Sequence, residues 1–111
     1  MREEKITKAN LELAFEVGFR ETECDPDWLL HTWDLPSTEK YKPTQSFIQK
    51  WLREKQNVHI WVIPMSLSEY AYYYFKDGGY TFSKCNFRFY ESALEKGIYE
   101  GLNLIHTTIK L

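Results

Sequence analysis

Between Pro43 and Pro64 the chain changes from one hydrophobic period to another. Phe47, Ile48, Trp51 and Leu52 recur at helical spacing behind Thr44. That stripe predicts a helix with Thr44 as its N-cap and Lys50, Arg53 and Glu54 on the opposite side. Lys50 and Glu54 stand at i, i+4, close enough to pair, and Lys55 lies nearer the apolar edge, where its stem can cover Trp51 or Leu52. Asn57 ends the helix and strict alternation begins at once. Val58, Ile60 and Val62 point one way, and His59, Trp61 and Ile63 the other. The pattern predicts a strand with one core face and a second face that is not plainly polar. Pro64 either ends that strand or marks it as an edge.

The same logic places the remaining elements. Thr7 to Phe19 reads as a short helix capped by Thr7, with Leu11, Ala14 and Phe15 on one face. Gly18 is placed to close it in a left-handed turn, so that Phe19 folds back onto it. Asp25-Pro26-Asp27 fits either a helix cap or a β-turn, and residues 28–33 are expected as a strand. Pro36 and Pro43 bracket an extended loop. Residues 70–75 are β-rich and aromatic on both faces, and Lys76-Asp77-Gly78-Gly79 supplies a hairpin turn into Tyr80–Lys84. Residues 90–105 form a second long helix, with Leu94, Ile98, Leu102 and Ile105 as its core stripe. Gly97 and Gly101 on its flank each cost roughly 1 kcal/mol against Ala in a helix interior, which predicts that a backbone or a large ring comes close there. The tail from His106 to Leu111 adds a short strand or frays.

These elements predict one α+β domain over residues 1–111. Its order is α-(β)-α-β-β-β-α: a small antiparallel meander of three to four strands with about three helices packed mainly on one face.

Composition adds one unusual feature. Aromatic residues make up 17% of the chain, eight Tyr, seven Phe and four Trp among them, enough to build a core from few side chains or to furnish a binding surface. The net charge is −2 but unevenly spread. Residues 21–39 hold six acidic and no basic side chains; residues 40–55 hold five basic and one acidic. The pI near 5.9 argues against nonspecific nucleic-acid affinity, which depends on counterion release by a basic surface. No apolar run follows the charged start and none is long enough to span a membrane, so a cytoplasmic protein without a signal peptide is expected. Cys24 and Cys85 are far apart and in no metal-binding spacing; two free thiols are expected.

No phosphate loop, zinc-protease, nucleophile-elbow or cysteine–histidine zinc motif occurs. The three histidines are scattered. His59, beside Trp61, is the one with guessable neighbours, and a structural role is favoured over an acid/base role or a thiol pair with Cys85. Glu91, Glu95 and Glu100 read as a solvated helix face. Tyr72, Tyr74, Tyr80 and Phe82 are candidates for an exposed stacking platform, with Lys76, Lys84 and Arg88 around it. Candidate binding residues are therefore Lys50, Arg53, His59, Trp61, Tyr72 and Tyr74, with no catalytic residue, metal or cofactor expected.

Two stretches, PTQSFIQKWLREKQNVHI (43–60) and YESALEKGIYEGLNLI (90–105), resemble a family of small uncharacterised proteins of phages and mobile elements of gut bacteria. The short helix ending at Gly18-Phe19 fits the same plan. Related sequences place a small capping residue where Arg88 or Phe89 stands here. The resemblance implies a genetic setting and no activity. The resulting expectation is a non-enzymatic accessory or binding protein that self-associates, as a homodimer, or binds another protein. The alternative is a nucleic-acid-binding module using the basic helix and the aromatic hairpin. A small enzyme around His59 is the third reading.

Overall fold

The computed structural model describes residues 4–76, 79–82 and 87–110. Its first helix, α1 (Lys8–Glu16), starts where the Thr7 side chain accepts the Asn10 N–H. It ends as the glycine requires: Gly18 has φ +105°, and the Phe19 N–H reaches back to the Ala14 carbonyl at 2.9 Å. That bond and the one from Gly18 to Phe15 form a Schellman closure. It drops Phe19 into full burial, stacked on Phe15 at 6.1 Å.

The segment expected as a strand is helical. In α2 (Pro26–His31) the Asp25 carboxylate accepts the Trp28 N–H at 3.1 Å and Pro26 occupies the first turn. Capping chemistry decides here, because one buried side chain, Leu29, needs no alternating face. A 3₁₀ turn over Pro36–Tyr41 follows. The buried Thr38 hydroxyl donates to the Leu35 carbonyl at 2.7 Å, and Lys42 lies 4.3 Å over Trp33 while pairing with Glu39 at 3.0 Å. Residues 4–6 then run antiparallel to 43–45, with Lys5 opposite Thr44.

Helix α3 (Gln45–Lys55) is capped by Thr44 and buries Ile48, Trp51 and Leu52, as its stripe predicts; Phe47 is 40% exposed at the margin. Asn57, at φ 56°, turns the chain into β1 (Val58–Ser66). Strands β1, β2 (Glu69–Lys76) and β3 (Gly79–Phe82) pair antiparallel in chain order. The register sets His59 opposite Phe75, Trp61 opposite Tyr73 and Ile60 opposite Tyr74. Lys76 faces Gly79 across the second turn, whose residues 77 and 78 lie outside the described residues. Pro64 does not end β1; it sits on an edge strand, beside an irregularity between Pro64 and Ser66.

The closing helix α4 (Tyr90–Lys110) runs through the tail, five residues past the predicted end. Near its end His106 Nε2 lies 3.0 Å from the Glu16 carboxylate at the end of α1. Its glycines meet the sheet as their spacing predicts. A β-carbon on Gly97 would stand 2.8 Å from Ile60 Cγ2 and 3.3 Å from Tyr72 Cδ2; one on Gly101 would stand 3.1 Å from Val58 Cγ1. Sheet and helix thus touch almost backbone to side chain. The core is continuous from Phe19 and Leu11 through Leu52 and Ile98 to Val58 and Ile60. With α3 and α4 on one side of the sheet, the molecule is a slab of 38 × 36 × 19 Å.

Candidate functional site

Because Val58, Ile60 and Tyr72 press on α4, strand alternation turns His59, Trp61, Tyr73 and Phe75 to the face away from it. The register makes them two cross-strand pairs, and their rings form one connected surface. His59 stacks parallel to Trp61 at 5.9 Å with an interplanar angle of 19°. Phase and pairing bring Trp61 to 5.0 Å from Tyr73 and His59 to 5.9 Å from Phe75. Trp61 remains 43% exposed. In β3, Tyr80 and Phe82 stand opposite Phe75 and Tyr73, so the register assigns those positions to the same face. None of the positions just named on this face is Lys, Arg, Asp or Glu.

The expected stacking platform is therefore split: the register gives the Tyr80 and Phe82 positions to this face, and Tyr72 and Tyr74 to the face on α4. Tyr72 is buried at 6% exposure and Tyr74 is half-buried against the core, so neither forms the open surface assigned to it. Burial, then Glu100 and Tyr74, push the Tyr72 hydroxyl up to about 12. Lys50 and Arg53 are exposed on α3, as a solvated helix face would be. Among the described residues, no hydrogen bond, ion pair or cation–π contact ties either of them to the aromatic face. Lys84 and Cys85 lie outside the described residues, as does any pairing of Cys85 with a histidine.

The His59 Nε2 faces the Asn57 side-chain oxygen at 3.2 Å, and its ring packs with those of Trp61 and Phe75. His31 Nδ1 is spent on the Asp27 carbonyl at 2.9 Å. Cys24 is half-buried, and burial followed by Asp25 and Glu23 pushes its thiol up, away from the thiolate a nucleophile needs.

No family model, curated protein or solved structure matches this chain.

A second feature was hidden from sequence reading. A cleft of about 750 Å³ lies among the N-terminal ends of α1, α3 and α4, with Glu95 on its wall. The Glu95 carboxylate is half-buried, not a solvated helix face. Oε2 accepts the Thr7 hydroxyl at 2.6 Å, the Thr7 N–H at 3.1 Å and the Asn10 amide at 2.6 Å. Oε1 accepts the Gln45 amide at 2.7 Å. The same two amides also donate to the Glu95 and Glu91 carbonyls. A carboxylate so engaged is a clasp joining three helices, held by charge-assisted bonds. Asn10 and Gln45 are buried polar residues, but nothing in the chain marks their burial or which acid 50 or 85 positions away they serve.

What the open face can do is bind. Aromatic side chains present large area at low ordering cost, and they are enriched at interfaces for that reason.

Proposed function

We propose that this chain is a non-enzymatic interaction module, an accessory protein of a phage or other mobile element, that self-associates through the open aromatic face of its sheet. The observation that carries this reading is the His59–Trp61–Tyr73–Phe75 ring cluster on the side of the sheet opposite α4, with Trp61 left 43% exposed. A sheet with one face on helices ordinarily puts polar side chains on the other. Four rings in that position are the departure that a partner explains. The mobile-element setting rests on the resemblance of the two helical stretches alone. Sedimentation equilibrium of the full chain between low and high micromolar concentration tests it. The average mass should rise above 13.4 kDa, and a mass fixed at that value would end the self-association reading.

Binding of single-stranded nucleic acid is the second reading, since the same rings offer π-faces on which bases stack. Against it stand the net charge of −2 and the pI near 5.9, unfavourable to the counterion release that drives such binding. Titration of labelled single-stranded DNA and RNA at low salt should show no binding; salt-sensitive binding lost in Trp61→Ala would favour this reading instead.

A further inference from the structure

We infer that the cleft among the N-terminal ends of α1, α3 and α4 binds a guanidinium group, as a site separate from the ring face of the sheet. The Glu95 clasp prepares it. A side-chain amide has two N–H donors and one carbonyl acceptor. Asn10 spends both donors on Glu95, at 2.9 Å to the backbone carbonyl and 2.6 Å to Oε2. Gln45 spends both on the Glu91 carbonyl at 2.8 Å and on Glu95 Oε1 at 2.7 Å. Flipping either amide would set its oxygen against these acceptors, so the clasp fixes both carbonyl oxygens turned away from Glu95.

Neither oxygen accepts a hydrogen bond among the described residues. Asn10 is only 3% exposed and Gln45 only 4%. Yet among the described residues no fully buried side-chain oxygen lacks a partner. The small exposed remnant of each residue therefore includes its carbonyl oxygen, and both residues line the cleft. Two rigidly held acceptors are left open to whatever enters.

The rest of the lining has the same sense. Glu4 and Glu91 bring carboxylates that make no hydrogen bond or ion pair among the described residues. Lys96, also in the lining, is already paired with Glu100 at 3.4 Å and seated 4.4 Å over Tyr99. The positive ends of the three helices face the Glu95 carboxylate, so the remaining charge of the cleft is that of Glu4 and Glu91. Phe89, 64% exposed, adds an open ring. Carbonyls, carboxylates and a ring together suit a planar cation rich in N–H donors, whose edge meets the oxygens and whose face stacks on the aromatic. A metal ion fits less well, because among the described residues no three acidic, Cys or His side chains converge to hold one. The volume of about 750 Å³ is that of a small-molecule pocket. It takes the group with an alkyl stem, on a free compound or on an arginine side chain of a partner.

The test is an NMR titration of the full chain with ethylguanidinium, ethylammonium, tetramethylammonium, acetyl-arginine amide and magnesium chloride, each into the millimolar range. Ethylguanidinium should shift the Asn10 and Gln45 side-chain amides saturably, leave the Trp61 indole unmoved, and bind severalfold tighter than ethylammonium. Tetramethylammonium, which has no N–H, should shift nothing. Glu4→Gln with Glu91→Gln should weaken ethylguanidinium binding by about tenfold, the loss of one charge-assisted bond; circular dichroism verifies that this variant is folded. Tighter binding of acetyl-arginine amide than of ethylguanidinium assigns the site to a partner's arginine, and the reverse order to a free guanidino compound; either order supports the guanidinium site. It is overturned by the absence of shifts with both guanidinium compounds, by equal binding of tetramethylammonium or ethylammonium, or by binding that survives the double substitution. Magnesium shifting the same amides at lower concentration than ethylguanidinium would overturn it in favour of a metal.

Discussion

Replacing Gly97 by alanine sets two known effects against each other. In a helix interior, alanine is favoured over glycine by about 1 kcal/mol. At Gly97, however, the new methyl would stand 2.8 Å from Ile60 Cγ2, with Tyr72 Cδ2 at 3.3 Å and Tyr72 Cβ at 3.4 Å. Ile60 is β-branched, so its Cγ2 cannot swing aside without leaving the preferred χ1 well. Overpacking of this kind costs roughly 1–3 kcal/mol. The clash wins, and Gly97→Ala should destabilise the protein by about 1 kcal/mol net. Gly101→Ala is the internal control. There the neighbours are Val58 Cγ1 at 3.1 Å, Ile60 Cδ1 at 3.2 Å and Leu52 Cδ1 at 3.7 Å, looser and partly the ends of flexible chains. Its strain should roughly cancel the propensity gain, leaving the two variants about 1 kcal/mol apart. Urea unfolding followed by circular dichroism reads the difference, with unchanged m-values certifying that stability and not compactness has moved. In an Ile60→Ala background the Gly97→Ala penalty should vanish. A Gly97→Ala protein as stable as Gly101→Ala, or more so, would refute the close sheet–helix approach.

Further tests address the other elements. Glu95→Ala leaves the Thr7, Asn10 and Gln45 donors without their carboxylate; since bonds to a charged group are worth about 1.5–3 kcal/mol each and water can replace some, a net loss of about 2–3 kcal/mol in urea unfolding is expected. Asp25→Ala removes the cap of α2 and should cost about 1 kcal/mol; no loss would mean that the helix does not depend on it. Tyr72, raised to about 12, keeps its proton in the folded state while the unfolded chain releases it near the ordinary tyrosine value of 10.0. Its contribution is therefore fully present below pH 10 and lost as pH rises toward 12, by up to about 2–3 kcal/mol in all. Thermal unfolding of Tyr72→Phe should show a shallower alkaline decline than the native chain, and parallel curves would contradict the assignment.

How much of this was legible depends on whether the signal was local. The α3 stripe, the Thr44 cap and the Gly18 closure are written within a few residues, and the structure follows them. The close approach at Gly97 and Gly101 was legible too, because two glycines in a helix need a neighbour to explain them. The segment at 28–33 was misread because capping by Asp25 outweighs a short run without alternation. Which tyrosines face outward was not local. In Tyr70–Phe75 both parities are aromatic, and only pairing with β1 puts Tyr72 and Tyr74 behind Val62 and Ile60 and leaves Tyr73 and Phe75 beside Trp61 and His59. The Glu95 clasp joins residues 85 positions apart, which periodicity cannot reveal. The basic residues Lys50 and Arg53 form an exposed helix face; the candidate site lies on the following strand.

The central claim is that the open ring face is where copies of this chain meet. The most direct measurement is a dilution series in amide and indole NMR, from about 1 mM down to about 10 µM, a range set to bracket the weak dissociation constant expected for so small a face. The account predicts concentration-dependent shifts at the Trp61 indole N–H and the His59, Tyr73 and Phe75 amides, with α1 and α2 unmoved. Spectra that do not change with concentration, or changes confined to the helices, would contradict it.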